Sequence, residues 1–381
     1  MKKIILLMLL ANLTTIHAQD LVFKKHSIAH QLLELEEKAF EHQNIDYKNM
    51  YSIIDSVIKI SSIKITAILN NDSLIDEKTA IKIFEAIDET LIELDFITFI
   101  RIERLNQALL KTIIPKESLK FYKQKDRRVG NQTYYYFTIF DGGAICMTEK
   151  RLNHFQSSNS NSYYRIDCDL GAYLYLAVAE VNDLPIYLVE VPGHNFLRFQ
   201  LNSNEYVNWD NNVANTFSND DYKNGMSPTV SEEFLDMEAS LNHYLENMNN
   251  DEVIGYHLEN VARYSIENSE LAQAEKQLIK SIQLRPYSAS ARNELAWMYL
   301  TEKEFRNKEY AKMALSLATE TDSINPSNPD YKDTYACACA ANKDYKKAIE
   351  LEKQGYNDEK RINAYKKRKN CYSLEKIKEA Q

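Results

Sequence analysis

A nearly continuous apolar run, Leu170 to Val181, constrains the fold of this chain more than any other feature. It is too long for an ordinary strand of about 5–6 residues, so it predicts a helix that is buried on all sides. Three short segments rich in β-branched and aromatic residues follow and predict strands: Ile186 to Val191, Phe196 to Leu201 and Tyr206 to Trp209. A buried helix followed by antiparallel strands predicts an α+β core.

Three chemically active side chains border this expected helix and its strands. Cys168 falls at the first turn of the helix, His194 follows a Pro-Gly turn, and Asp210 ends the third strand. A thiol, an imidazole and a carboxylate are the groups that a cysteine nucleophile, its base and an orienting acid require. A helix N-terminus also favours a thiolate. If the strands pair, Asp210 fixes the tautomer of His194 while the other ring nitrogen meets the sulfur.

Each of these residues on its own also fits a structural role. A cysteine before an apolar helix is usually a buried structural thiol, and a histidine after Pro-Gly is commonly a turn residue. Asp167 and Asp169 flank the cysteine, and adjacent negative charge disfavours a thiolate, although Asp167 alternatively caps the helix. Zinc binding by Cys168, His194 and Asp210 is disfavoured, because the chain lacks close-spaced ligand pairs. We therefore expect neither a metal nor another cofactor.

The C-terminal part of the chain repeats itself. Ala262, Ala296 and Ala336 can be aligned, and Ala274 and Ala348 each follow their own aligned alanine by 12 residues. Small residues at such positions let paired helices approach closely, which predicts an all-α array of helical hairpins. The expected units lie near 255–288, 289–328 and 329–362.

Two kinds of sequence segment resemble known families. The segment 184–199, LPIYLVEVPGHNFLRF, is similar to the transglutaminase-like superfamily, especially its bacterial SirB1-like branch. The segments 295–299, LAWMY, and 344–348, DYKKA, resemble the tetratricopeptide family, and members of the SirB1-like branch combine such a core with these repeats. The resemblance implies a papain/transglutaminase-like helix-plus-antiparallel-sheet core followed by a tetratricopeptide-like array.

The same resemblance implies a function. It makes Cys168 the nucleophile, His194 the base and Asp210 the orienting acid of a cysteine protease or transglutaminase-like amide hydrolase. The substrate would be a protein or peptide with a peptide or glutamine-type amide bond, and hydrolysis is favoured over crosslinking because water is always present. The repeats would hold a protein partner. The alternative is a non-catalytic protein-binding scaffold that retains the fold, which the aspartates beside Cys168 favour.

The beginning of the chain predicts export. Lys2 and Lys3 precede an apolar stretch too short to span a bilayer, and Ala18 is a small residue at a plausible cleavage site. We therefore expect a periplasmic or extracellular protein. Loss of the two lysines changes the formal net charge from -9 to -11, which argues against a nucleic-acid partner. No later apolar run is long enough to cross a membrane.

The expected domain organisation has four parts, and helical periodicity fills most of the second. The parts are a signal peptide at 1–18, a helical N-terminal region at 19–125, the α+β core at 126–230 and the repeats at 231–381. Within the N-terminal region, Ile28 to Phe40, Tyr51 to Leu69 and Ile81 to Leu110 show helical spacing. The β-prone run Tyr134 to Phe137 predicts a strand near the start of the core.

The cysteines do not predict a disulfide framework. Their number is odd, and the chain is long for a disulfide-stabilised scaffold. Cys337 and Cys339 fall in a helical stretch, where they are expected as small core residues. The five cysteines are Cys146, Cys168, Cys337, Cys339 and Cys371.

Overall fold

A computed structural model gives the structure of most of the chain. The described residues are 27–41, 46–71, 75–101, 113–115, 122–129, 132–138, 144–227, 229–230, 234 and 236–371. The predicted signal peptide lies outside the described residues. Among the helices that the structure describes, none is both long enough and apolar enough to span a bilayer.

The chain folds into a mixture of helices and small sheets, with helices alone near its C-terminus. The helices are α1 (Ile28–Ala39), α2 (Tyr47–Asn71), α3 (Glu77–Glu93), α4 (Glu149–Ser157), α5 (Cys168–Val181), α6 (Asn219–Lys223), α7 (Asp236–Asn242), α8 (Asn250–Glu267), α9 (Leu271–Leu284), α10 (Ala289–Thr301), α11 (Lys308–Ile324), α12 (Pro329–Ala341), α13 (Tyr345–Gln354) and α14 (Glu359–Lys366). The strands are β1 (Phe96–Arg101), β2 (Ile113–Pro115), β3 (Tyr122–Val129), β4 (Gln132–Thr138), β5 (Ala144–Thr148), β6 (Ser162–Ile166), β7 (Ile186–Val191), β8 (His194–Gln200), β9 (Tyr206–Asp210), β10 (Asn215–Thr216) and β11 (Asn247–Met248).

The third N-terminal helix is shorter than its sequence predicts. Helix α3 begins after Asp76, whose side chain accepts a hydrogen bond from the Thr79 amide, and it ends at Glu93. Asp95 adopts φ 60° and turns the chain into strand β1, so the prediction of a helix from Ile81 to Leu110 is wrong from Phe96 to Arg101, and residues 102–110 lie outside the described residues. The strand pairs with β5 on one side and β6 on the other, and this long-range pairing overrides the helical periodicity.

The described strands form two sheets. One has the strand order β2-β6-β1-β5-β4-β3, in which only the β1–β6 pair is parallel among the described pairs. The other has the order β10-β9-β8-β7-β11 and is antiparallel throughout its described pairs. The strands predicted after the apolar run are β7, β8 and β9, which confirms that part of the sequence interpretation.

Helix α5 is the buried helix that the apolar run predicts. It begins at Cys168, and its residues from Leu170 to Ala179 are all buried. The helix packs against α1 and α2 on one side and against β7 and β8 on the other. Each large apolar side chain that this contact removes from water contributes about 1.5–3 kcal/mol, so the position of the helix is strongly fixed.

The C-terminal helices pack in consecutive pairs around a second hydrophobic core. The pairs are α8 with α9, α10 with α11, and α12 with α13. Ala262, Ala296 and Ala336 are fully buried in this core, and so are Ala274 and Ala348. The aligned alanines therefore lie where the helices approach one another, as their spacing predicts.

The cysteines of this region differ from the sequence interpretation in one respect. Cys339 is a buried core residue, as expected, and burial raises the pKa of its thiol to about 12. Cys337, by contrast, is not a plain core thiol, because it forms a disulfide with Cys371 across a Cα–Cα distance of 5.5 Å. Helix α14 returns the chain to α12 before Cys371, a tertiary arrangement that cysteine spacing does not specify.

Candidate functional site

The N-terminus of α5 places Cys168 at the edge of the core. The Asp167 side chain caps the helix by accepting a hydrogen bond from the Leu170 amide at 3.0 Å, which confirms the capping alternative. Cys168 is the first residue of the helix and remains partly exposed, whereas the residues from Leu170 onward are buried. Cys168 therefore lies at the boundary between the buried part of the helix and the surface.

A tight hairpin places His194. Val191 pairs directly with His194, so Pro192 and Gly193 alone form the turn between β7 and β8. Gly193 has φ 68°, the conformation that the third position of a type II turn requires, and proline favours the position before it. His194 is consequently the first residue of β8, and the residue is only 5 % exposed.

Asp210 joins His194 as the sequence predicts. It ends the neighbouring strand β9, is fully buried, and lies 3.0 Å through Oδ2 from Nε2 of His194. Its carboxylate also accepts hydrogen bonds from Thr229 Oγ1 at 2.6 Å, Tyr222 Oη at 3.3 Å and the Asn212 amide at 3.0 Å. Three of these donors face Oδ2 and the Asn212 amide faces Oδ1, so both oxygens of this buried carboxylate accept hydrogen bonds.

These contacts keep Asp210 ionised. Burial by itself raises the pKa of a carboxyl group, but the His194 charge and the hydrogen bonds from His194, Thr229 and Asn212 outweigh it and lower the pKa of Asp210. An ionised carboxylate only accepts hydrogen bonds, so Nε2 of His194 carries the proton that faces Asp210. The ring nitrogen available for proton transfer is therefore Nδ1.

Cys168 lies beside the first residues of β8. The backbone N–H of Asn195 donates a hydrogen bond to its sulfur, and the Asn195 side chain donates to the adjacent Asp169. Among the hydrogen bonds of the described residues, none joins Cys168 to His194. The thiol donates instead to Asp169 Oδ1 at 3.4 Å. The fold therefore joins His194 to Asp210 and brings Cys168 beside Asn195, the residue that follows His194, but it does not bond the thiol to the imidazole.

The electrostatic surroundings of Cys168 favour the neutral thiol. Burial of the sulfur is the largest cause, and the charges of Asp169 and Asp167 follow, so the pKa of Cys168 lies well above its ordinary value. The Asn195 amide acts in the opposite direction but does not compensate. The helix N-terminus therefore does not produce the thiolate that the sequence analysis considered.

Asp169 contacts more of the site than the sequence indicates. Besides the thiol and Asn195, its carboxylate accepts a hydrogen bond from Tyr256 Oη at 3.1 Å and one from Asn260 Nδ2 at 2.7 Å. Tyr256 and Asn260 lie on α8, 87 and 91 residues further along the chain. No sequence spacing links them to Cys168, so residue patterns alone miss both.

Asn211, next to Asp210, is another residue that the sequence analysis missed. Its Nδ2 donates to the backbone carbonyl of Cys168 at 3.2 Å. The contact depends on Gly171, because a Cβ atom there would lie 2.5 Å from Asn211 Nδ2. Arg151 holds the same loop by donating to the carbonyls of Asn211 at 2.8 Å and Asn212 at 2.6 Å. A glycine in an otherwise apolar helix was the available signal.

Two further residues near the site have structural roles. Trp209 stacks on Phe84 with a ring-centroid distance of 5.4 Å and belongs to the main core, on the opposite face of β9 from Asp210. Glu190, on β7, forms an ion pair with the buried Arg285 at the end of α9. The second pair ties the sheet to the C-terminal helices.

Within the described ranges, no group of three or more histidine, cysteine, aspartate or glutamate side chains is arranged to hold a metal ion. Comparisons of the chain with protein-family models, with curated proteins and with solved structures found no match. The resemblance to the transglutaminase-like superfamily and to tetratricopeptide repeats therefore stays a prediction from the residues quoted above.

Proposed function

We propose that this chain is a cysteine-dependent amide hydrolase with a transglutaminase-like core. The observation that carries the proposal is the buried His194–Asp210 pair on a strand whose next residue, Asn195, lies beside Cys168 at the start of a helix. An ionised Asp210 serves to orient an imidazole and to stabilise its protonated form.

The chemistry would begin from a neutral thiol. The reaction requires the sulfur to leave Asp169 and to meet Nδ1 of His194. His194 Nδ1 then takes the thiol proton as the sulfur attacks the carbonyl carbon of an amide, and Asp210 stabilises the imidazolium. The C–N bond breaks, the proton passes to the departing amine, and an acyl-enzyme remains. Water then hydrolyses the thioester, giving a carboxylic acid and the original thiol.

The remaining parts of the proposal concern where the enzyme acts and on what. A protein or peptide is the proposed substrate, because the chemistry cleaves amide bonds. The C-terminal helical hairpins, as tetratricopeptide-like repeats, would bind a protein partner. The N-terminal sequence supports export through the secretory pathway to the periplasm or the exterior.

A peptide library tests the proposed reaction. The purified chain should generate new amino termini, or convert side-chain amides to acids, and Cys168→Ala should abolish both products. His194→Ala should slow the reaction by about 100-fold or more, because general-base catalysis contributes that much. His243→Asn is the matched control, since the His243 side chain is 43% exposed, contacts Glu246 and Tyr287 outside the site, and has φ 55°, which asparagine tolerates. Equal product from the wild type and both site variants would overturn the proposal.

A second candidate function is a non-catalytic protein-binding scaffold. The observation that favours it is the hydrogen bond from the Cys168 thiol to Asp169, together with the raised pKa of that thiol. If the chain is a scaffold, the wild type should leave every peptide of the library unchanged. Cys168→Ala should then have a thermal unfolding midpoint close to that of the wild type. Mass spectrometry and calorimetry on the same two samples distinguish the two functions.

A further inference from the structure

We propose that Tyr256 and Asn260, on the first helix of the C-terminal array, are positioning residues of the Cys168 site. Both hold the carboxylate of Asp169 and thereby weaken its hold on the thiol proton. The inference deepens the proposed function and rests on it. It makes α8 a component of the site, in addition to any partner that the array binds.

The contacts around Asp169 are uneven. Oδ1 accepts three hydrogen bonds, from Cys168 Sγ at 3.4 Å, from Tyr256 Oη at 3.1 Å and from Asn195 Nδ2. Oδ2 accepts one, from Asn260 Nδ2 at 2.7 Å. Tyr256 therefore shares Oδ1 with the thiol, and Asn260 binds the other oxygen of the same carboxylate.

Other contacts fix the orientation of both α8 donors. Arg263 donates to Asn260 Oδ1 at 3.2 Å, so the amide group of Asn260 must turn its Nδ2 toward Asp169. The Arg285 guanidinium lies 5.1 Å from the centre of the Tyr256 ring and is itself paired with Glu190. Asn260 and Tyr256 are thus held by charged groups that link α8 to α9 and to the sheet.

Hydrogen bonds from neutral donors spread the negative charge of a carboxylate, which weakens its attraction for a further proton. Removing the α8 donors would concentrate that charge on the contact with Cys168. The thiol would then be held more tightly by Asp169 and would form a thiolate less readily. The α8 donors therefore favour release of the sulfur toward His194.

The titratable groups near the sulfur come from two helices and a cap. Asp169 and Tyr173 belong to α5, Asp167 caps that helix, and Tyr256 belongs to α8. The two aspartates are the charged members of this set that raise the pKa of Cys168. A substitution that acts through Asp169 must therefore shift the pH dependence of the alkylation rate of Cys168. A substitution that only loosens the packing does not shift that pH dependence systematically.

Alkylation of Cys168 by iodoacetamide, followed by mass spectrometry of the peptide that contains it, tests the inference. Asn260→Asp places a second negative charge against Asp169, and we expect the alkylation rate at about pH 8 to fall about fivefold or more, with the pH profile displaced upward. Tyr256→Phe removes one hydroxyl donor and should lower the rate about twofold to threefold. Thermal unfolding of each variant verifies that it is folded.

Asn250→Asp is the matched control. Asn250 lies on the same helix and donates to Glu180, also a carboxylate and also at 2.7 Å, but far from the sulfur in sequence and contacts. Its rate should stay within about twofold of the wild type. Equal profiles for Asn260→Asp and Asn250→Asp would overturn the inference. A displaced profile without any hydrolysis of the peptide library would instead retain the positioning role and reject the enzyme.

Discussion

At the scale of single residues, two aspartates beside two reactive groups have opposite effects. Asp210 faces His194 and receives donors at both oxygens, so its charge is stabilised in a buried position. Asp169 faces Cys168 and accepts the thiol proton in a hydrogen bond. An aspartate thus favours the reactive form of His194, which becomes positive when it takes a proton. An aspartate disfavours the reactive form of Cys168, which becomes negative when it loses one.

The lowered pKa of Asp210 has a consequence for stability. A carboxyl group whose pKa is lower in the folded state stabilises the fold above its unfolded pKa of about 3.9, and this contribution is lost as the pH falls through the folded pKa. We expect Asp210→Asn to reduce the free energy of unfolding by about 1.5–3 kcal/mol at neutral pH, the range for hydrogen bonds to a charged group. The difference from the wild type should shrink progressively in acid.

Urea unfolding as a function of pH measures this effect. Asp183→Asn is the control, because Asp183 is exposed at the other end of α5 and at φ 50°, a conformation that asparagine tolerates. A destabilisation by Asp210→Asn that stays constant from neutral pH into acid would contradict an ionised Asp210.

At the scale of elements, the site depends on how closely β9 and the loop after it approach α5. The close approach is possible because Gly171 has no side chain where Asn211 reaches the Cys168 carbonyl. The hairpin between β7 and β8 supplies the second constraint, with Gly193 in the left-handed region. Both glycines serve backbone geometry that directs neighbouring residues to the thiol.

Gly171→Ala tests the first constraint. Alanine favours a helix by about 1 kcal/mol over glycine, but its Cβ would overlap Asn211 Nδ2, and relieving such overpacking costs about 1–3 kcal/mol. We expect a net loss of stability in urea unfolding. The double variant Gly171→Ala/Asn211→Ala removes the clashing amide and should recover part of that loss, which a double-mutant cycle quantifies. Strictly additive effects of the two changes would show that the residues do not interfere.

At the scale of the whole molecule, the C-terminal helices are joined to the sheet by charges rather than by apolar contact alone. Arg285 is buried and pairs with Glu190 on β7, and its guanidinium lies 3.8 Å from Glu259 on α8. Asn260 and Tyr256 make the neighbouring contacts to Asp169. The junction and the candidate site are therefore a continuous polar network.

Removal of the central cation should destabilise this junction strongly. Arg285→Met leaves Glu190 without its cation, whereas Glu259 keeps Arg263, and we expect a loss of about 3–5 kcal/mol in the free energy of unfolding. The double variant Arg285→Met/Glu190→Gln removes the stranded charge and should be more stable than the single variant. Lys38→Met, which breaks an exposed pair with Glu34, serves as the control and should cost less than about 1 kcal/mol. Comparable losses for Arg285→Met and Lys38→Met in thermal unfolding would contradict a buried junction.

Much of this architecture is readable from local sequence patterns. The apolar run from Leu170, the Pro-Gly hairpin and the alternation along β7 to β9 each specify structure over a few residues, and the His194–Asp210 pair follows once those strands are adjacent. Strand β1 shows the limit of such patterns, since helical spacing continues past Glu93 while the chain pairs with β5 and β6.

Caps, turns and periodicity act between neighbours in the chain, so local sequence predicts the buried helix with Cys168 at its start, the hairpin that carries His194 and the helical C-terminal region. Tertiary packing is needed to know that Asp169 accepts the thiol proton, that α8 supplies two donors to Asp169, and that Cys337 pairs with Cys371. These contacts join residues far apart in the chain, and the packing of whole helices and sheets selects them.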